Sequence, residues 1–184
     1  MTTRIFPEPL AAKVPRVTTG FWGTKFLATA AGVATSDLLA HGSHAAGAGA
    51  EIALLAAGVA WQFRVRRYTA SAFWFLTYAL AVFGTGLSAG LHQVIGVPHA
   101  ETMLLWAAAL IVFAAAWERR RLTVRAVLTR RGEAHYWALA FAAFTFCVAL
   151  ADYTAAALHL WYLSPVVMLL FAAVMVPTVD CSLR

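Results

Sequence analysis

The chain has 184 residues, of which 62% are hydrophobic and 12% are charged, and its mean hydropathy is +0.74. Soluble domains carry roughly one quarter charged residues, so this composition excludes a water-soluble globular protein. The two cysteines, Cys147 and Cys181, are too few for a disulfide framework or a cysteine metal cage. We predict no cofactor, and we interpret the net charge of +6 first as a signal of membrane topology.

Long apolar runs predict helices that span a membrane. A backbone in hydrocarbon must satisfy its own hydrogen bonds, and at about 20 residues per span the length allows about six. The predicted fold class is therefore all-α, a polytopic transmembrane bundle. Its helices are predicted at residues 21–41, 46–63, 70–91, 100–117, 135–158 and 161–179. The first is the least hydrophobic, because it contains Lys25 and Asp37, and we expect it to face protein rather than lipid.

The cationic residues of the connectors predict the orientation. They lie in the N-terminal arm, the second connector and the fourth connector: Arg4, Lys13, Arg16, Arg64, Arg66, Arg67, Arg119, Arg120, Arg121, Arg125, Arg130 and Arg131. Because cationic flanks stay on the cytoplasmic side, both termini are predicted in the cytoplasm of a bacterial inner membrane. Lys25 inside the first apolar run argues against a cleaved signal peptide. The charge would also attract anionic lipid headgroups, and nucleic-acid binding is not predicted.

A repeat relates the odd-numbered helices, each of which begins with an aromatic residue followed by tryptophan: Phe21-Trp22, Phe73-Trp74 and Tyr136-Trp137. Ten residues after each tryptophan comes a small residue, and fifteen residues after come Asp37, Ala89 and Asp152. We predict helical hairpins repeated in parallel, at residues 21–69, 70–133 and 134–184, after a cytoplasmic arm at 1–20. Trp22, Trp74 and Trp137 are predicted to anchor the inner membrane interface.

These motifs resemble a family of bacterial integral membrane proteins that are built from tandem two-helix repeats, each with a characteristic tryptophan, and whose function is unknown. The matching residues are Lys13-Val14-Pro15, Val17-Thr18, Phe21-Trp22, Lys25, Ala28-Thr29, Gly32, Asp37, Arg130-Arg131, Glu133, Tyr136-Trp137, Thr145 and Asp152. The resemblance covers almost the whole chain and implies the architecture, not an activity.

Three features depart from that family. Its members usually carry four repeats, whereas this chain has three, and Val33 and Ala89 stand where the pattern has acids. The resemblance therefore implies a shortened member, and a function that needs the full acidic set is in doubt. An uncovered seam where a fourth repeat would pack could be closed by a homo-oligomer.

Asp37 and Asp152 are the candidate functional residues, because an ionisable group in a spanning helix costs several kcal/mol and usually serves a pathway or an internal partner. Fifteen residues correspond to roughly 22 Å of helix from the cytoplasmic tryptophan, so both acids are predicted in the outer part of the membrane. They could bind an ion or a proton, or they could form structural hydrogen bonds between repeats.

Other polar residues are possible partners of these acids. Lys25 can extend to the headgroups by its long stem, and it lies about 18 Å from Asp37 along one straight helix, which excludes their pairing within it. Most histidines fall on the predicted external side together with Glu51 and Glu101: His41, His44, His92, His99 and His159. They could bind a metal or sense pH, but we favour solvated loop residues, and a metal site is left undetermined.

The segment Gly86-Leu87-Ser88-Ala89-Gly90 matches the nucleophile pattern G-x-S-x-G, but it lies in a membrane helix and not in a strand-to-helix turn. A packing face of small residues is the simpler interpretation. An intramembrane serine protease with His92 or His159 as the base is a less favoured alternative. We predict a non-enzymatic protein that transports a cation or a small solute through Asp37 and Asp152. The alternative is a membrane scaffold or accessory subunit.

Overall fold

The computed structural model describes residues 9–11, 13–15, 18–119, 129–156 and 159. These residues form five α-helices and two short β-strands. The helices are α1 (Thr19–Ala40), α2 (His44–Arg64), α3 (Ala70–Gln93), α4 (His99–Arg119) and α5 (Arg130–Ala156). The sixth predicted helix, at 161–179, lies outside the described residues.

The five helices confirm the first five of the six predicted helices, and the observed and predicted bounds differ mainly at the helix ends. α1 begins after Thr18, whose Oγ1 accepts a hydrogen bond from the Phe21 N–H at 3.2 Å, the usual N-cap contact. α5 begins at Arg130 and not at 135, and Glu133 in its first turn suits the positive end of the helix dipole. The predicted boundaries missed that extra turn.

Two strands precede the helices and were not predicted. β1 (Pro9–Ala11) and β2 (Val14–Pro15) pair antiparallel, with Pro9 opposite Pro15 and Ala11 opposite Val14. A residue before proline is pushed towards an extended backbone, which explains the conformation of Val14.

Four of the described helices, α2 to α5, are long and apolar enough to cross a membrane. They indicate a membrane protein. α1 is not among the four, because its charged and hydroxyl side chains lower its hydropathy, as the sequence indicated. The structure thus supports membrane helices in the described part of the chain, while a total of six is not shown.

The chain divides into two compact units, Met1–Gly86 with Arg125–Arg130, and Leu87–Val124 with Arg131–Arg184. In the first unit the core follows α3, where Ala72, Leu76, Ala79 and Val82 are completely buried. α1 approaches α3 closely at Gly32: a Cβ there would overlap the Cβ of Ala81 and lie 3.1 Å from the Val82 nitrogen.

In the second unit the core follows α5, whose buried residues include Ala142, Val148 and Ala149. Trp106 of α4 packs edge-to-face on Phe141 of α5 at 5.4 Å between ring centroids. Thr102 is the one buried residue of α4, and the large apolar side chains of Leu104, Leu105, Ile111 and Val112 are exposed. Such an apolar exposed helix is suited to contact lipid.

Candidate functional site

Glu51, on α2, has a buried and hydrogen-bonded carboxylate in the first unit. Its residue is only 7% exposed, and the Ser36 hydroxyl of α1 donates a hydrogen bond to Glu51 Oε1 at 2.7 Å. A hydrogen bond to a charged group is among the strong ones. The bond therefore ties α1 to α2 at an acid that lies inside the protein.

A glycine of α3 makes room for this carboxylate. A Cβ built on Gly86 would overlap the carboxylate carbon and both carboxylate oxygens of Glu51. Any larger residue at this position would displace the acid. Glu51 therefore lies where three helices meet, contacting a hydroxyl on one side and bare backbone on the other.

The helices around Glu51 are held by neighbouring contacts. One turn before Ser36, Gly32 allows the close approach of α1 to α3. The Tyr78 hydroxyl of α3 donates to Thr35 Oγ1 at 2.8 Å, and that Thr35 hydroxyl donates to the Ala31 carbonyl at 2.8 Å. These contacts fix the spacing of α1 and α3 at the level of the carboxylate.

α2 presents an unusual buried face. Its buried residues are Gly47, Glu51, Gly58 and Gln62, a spacing of four, seven and four residues that lies on one side of a helix. The apolar side chains of Ile52 and Val59 are exposed instead. Small and polar residues inside with apolar residues outside is the pattern expected for helices packed in a membrane.

Sequence reasoning missed Glu51 because it grouped this acid with external loop residues. α2 begins at His44, so Glu51 lies about 10 Å inside the helix, two turns from its start. The signal that could have found it is the helical spacing of Gly47, Glu51 and Gly58.

The second unit contains a related pair. The Ser88 hydroxyl of α3 donates to Asp152 Oδ2 of α5 at 3.1 Å. Ser88 is buried, whereas Asp152, one of the two predicted acids, is half-buried. Ser36 and Ser88 each follow their repeat tryptophan by fourteen residues, so serines at equivalent positions both donate to a carboxylate.

The other predicted acid has different surroundings. Asp37 is exposed near the end of α1, and its backbone carbonyl accepts a hydrogen bond from His41 Nδ1 at 2.6 Å. Lys25 is half-buried. Asp37 therefore lies on the outer surface of its unit, beside the buried Ser36.

The remaining polar candidates are on the surface or near it. His41, His44 and His159 are exposed, and His159 has a positive φ of 55°. The described residues contain no group of three or more His, Cys, Asp and Glu side chains that could hold a metal. The sequence favoured solvated loop positions for these histidines over a metal site, and this stays a prediction.

The hydrogen bonds of the G-x-S-x-G segment do not join a serine to a histidine. Ser88 donates to Asp152, while His92 Nδ1 bonds the Val97 carbonyl at 2.9 Å. Within this segment, Gly86 leaves the space that the Glu51 carboxylate occupies. A small residue is therefore needed there for packing.

The three repeat tryptophans share one geometry with their preceding aromatic residue. The pairs Phe21–Trp22, Phe73–Trp74 and Tyr136–Trp137 are all edge-to-face, at 5.5, 5.2 and 5.2 Å between ring centroids. Trp137 is buried, at 7% exposure, and Trp74 Nε1 is buried as well. Trp74 and Trp137 thus contribute to packing within the protein, in addition to any anchoring in the interface.

Comparison of the chain with protein-family models, with curated proteins and with solved structures found no match.

Proposed function

We propose that this chain is a multi-pass protein of the bacterial inner membrane that conducts a proton or a small cation, and that Glu51 is its principal ion-binding residue. The observation that carries the proposal is the buried Glu51 carboxylate, bonded to Ser36 at 2.7 Å and accommodated by Gly86. Ionisable groups inside membrane helices are costly and are typically retained for ion or proton pathways.

The Ser36 hydroxyl can bond to the Glu51 carboxyl group in both its ionised and its protonated state. It donates to an ionised carboxylate, and it can accept from a protonated one, because a hydroxyl is both donor and acceptor. A carboxyl group that gains and loses a proton would therefore keep a hydrogen-bond partner at each stage. This property permits repeated protonation without loss of the Ser36–Glu51 hydrogen bond.

The charge distribution supports the proposed orientation. The described arginines at the ends of the second and fourth connectors are all exposed: Arg64, Arg66, Arg67, Arg119, Arg130 and Arg131. Exposed cationic flanks are retained in the cytoplasm and attract anionic headgroups. In this orientation Glu51 lies in the outer half of the membrane.

Asp152 is proposed as a second ion-binding carboxylate, since it too accepts a bond from a repeat serine. Asp37, predicted from sequence to bind an ion or a proton, is exposed, and we do not include it in the proposed pathway. The proposed activity is non-enzymatic and requires no cofactor.

The competing proposal is a membrane scaffold or accessory subunit. It is favoured by the tight packing of α1 on α3 at Gly32, since helices fixed in this way are suited to a rigid support. In that case the Ser36–Glu51 bond would serve only to join helices.

The deciding experiment measures ion flux in proteoliposomes that contain a pH-sensitive dye, with parallel sodium- and potassium-sensitive dyes. Glu51→Gln preserves the size and hydrogen bonding of the side chain and removes its ionisation. We expect this variant to lose at least tenfold in flux and to keep its thermal stability. Glu101→Gln is the matched control, because Glu101 is an exposed carboxylate of α4, and its flux should equal that of the unaltered chain.

Two results would contradict the transport proposal. One is full flux from Glu51→Gln. The other is the absence of flux of any of these ions from folded, unaltered protein, which would favour the scaffold.

A further inference from the structure

The Glu51 carboxylate is enclosed by close packing and by one hydroxyl. The Ser36 hydroxyl lies 2.7 Å from Glu51 Oε1, and the backbone of Gly86 lies so near that a Cβ there would overlap both carboxylate oxygens. The whole Glu51 residue is 7% exposed. Hard metal cations such as calcium are instead surrounded by several oxygen ligands. The space beside the carboxylate is thus occupied by a glycine backbone, where a metal cation would need further oxygen atoms.

The three helices that meet at this carboxylate are continuous at its level. Ser36 lies inside α1, Glu51 inside α2 and Gly86 inside α3, each at least one turn from the helix ends. In secondary transporters, Na⁺ is held by backbone carbonyls of helices that are unwound at the site. In a continuous helix each carbonyl instead accepts a hydrogen bond from the N–H four residues later. These three helices therefore offer no unwound segment to surround a metal cation.

The local sequence of the three helices supplies no positive charge to balance an ionised Glu51. Within about one turn of Ser36, Glu51 and Gly86 along their own helices, the only other ionisable residue is Asp37, which is an acid and is exposed. An isolated ionised carboxylate in an apolar interior is so costly that such a group becomes neutral instead. A proton neutralises it without any further ligand, because the new O–H can donate to the Ser36 hydroxyl.

We propose that the ion bound at Glu51 is a proton, and that the site excludes Na⁺ and K⁺. The inference rests on the proposed function, in which Glu51 is the ion-binding residue, and it specifies the ion. On binding, the proton forms an O–H bond with a carboxylate oxygen and gives the neutral acid. On release, that bond breaks, the carboxylate regains its charge, and the Ser36 hydroxyl donates to it.

The test is infrared difference spectroscopy of the full chain in lipid, which detects the carbonyl stretch of a protonated carboxyl group. The Glu51 band is the one that is missing in Glu51→Gln, and Glu51→Asp, which should shift it, provides a second assignment. We expect this band to disappear as the pH is raised and to return as it is lowered. At constant pH and ionic strength, the band should be the same in choline, sodium and potassium chloride.

Glu101→Gln is the matched control, because it alters an exposed carboxylate of α4, and it should keep the Glu51 band. Loss of the band on adding Na⁺ or K⁺ at constant pH would overturn the proposal, since a metal cation would then replace the proton. Absence of a Glu51 band at every pH at which the chain stays folded would mean that the carboxylate is never protonated. A band that persists at every such pH would mean that the proton is never released, and either result also overturns the proposal.

Failure of the proposed function would be seen separately, in the proteoliposomes. If folded protein gives no flux while the Glu51 band titrates and is unaffected by Na⁺ and K⁺, the proton site is supported and its role in transport is refuted. If Na⁺ or K⁺ flux is present and is lost in Glu51→Gln, transport is supported and the exclusion of these cations is refuted.

Discussion

The two hydroxyl–carboxylate pairs differ in depth, although their serines occupy equivalent positions after the repeat tryptophans. Ser36 reaches Glu51 at 2.7 Å in a buried setting, whereas Ser88 reaches the half-buried Asp152 at 3.1 Å. The acids also come from different places in the pattern, since Asp152 is a repeat acid and Glu51 is not. A repeated serine thus predicts that a hydroxyl is inside, and the packing of other helices decides which carboxylate it meets.

The largest expected effect concerns the packing that brings the first pair together. In Gly32→Ala the new Cβ would overlap Ala81 and crowd the Val82 backbone, which cannot yield locally. We expect a loss of about 1–3 kcal/mol in the free energy of unfolding, as for other overpacked sites. Thermal or denaturant unfolding in detergent measures it. Gly90→Ala, whose Cβ would meet nothing within 4 Å, is the control and should not destabilise the chain, because alanine favours a helix over glycine.

Removing each serine hydroxyl compares the two pairs directly. Interhelical hydrogen bonds in membrane proteins contribute about 0.6 kcal/mol on average and about 1.7 kcal/mol at most. We expect Ser36→Ala to approach the upper value, because its bond is short and buried, and Ser88→Ala to cost about the average. Equal losses in a parallel unfolding series would show that burial does not distinguish the pairs.

The glycine contact is tested by a double-mutant cycle. Gly86→Ala should destabilise the unaltered chain by displacing the Glu51 carboxylate, but it should have little effect in a Glu51→Ala background. We expect a coupling energy of at least about 0.5 kcal/mol, typical of residues in contact. Strictly additive effects would mean that the carboxylate does not occupy the space beside Gly86.

An effect as small as that of Ser88→Ala is expected for Tyr78→Phe, which removes the hydroxyl bonded to Thr35 at 2.8 Å and keeps the ring. A loss of about 0.6 kcal/mol is expected, because Thr35 retains its bond to Ala31. If the variant unfolds as the unaltered chain does, Tyr78 makes no net contribution to the α1–α3 contact. The same unfolding assay measures this loss. If Tyr78→Phe lost more free energy of unfolding than Gly32→Ala, the expected order of the variants would be wrong.

The sequence by itself determined the five described helices, because an apolar run in a membrane has no other way to satisfy its backbone. It also indicated that α1, with Lys25 and Asp37, is less suited to lipid than the four described helices that could span a membrane, and that small residues follow each repeat tryptophan by ten positions. Those three residues, Gly32, Gly84 and Cys147, are all buried.

Only the tertiary structure decided which of Asp37 and Glu51 is buried. Asp37 matched the repeat and is exposed, whereas Glu51 matched no repeat and is buried. The physical reason is that apolar side chains in a membrane helix suit lipid and protein equally, so hydropathy does not orient the helix. The orientation of α2 followed from the close fit of its small residues and of Glu51 against neighbouring helices, and that fit exists only once the helices are packed.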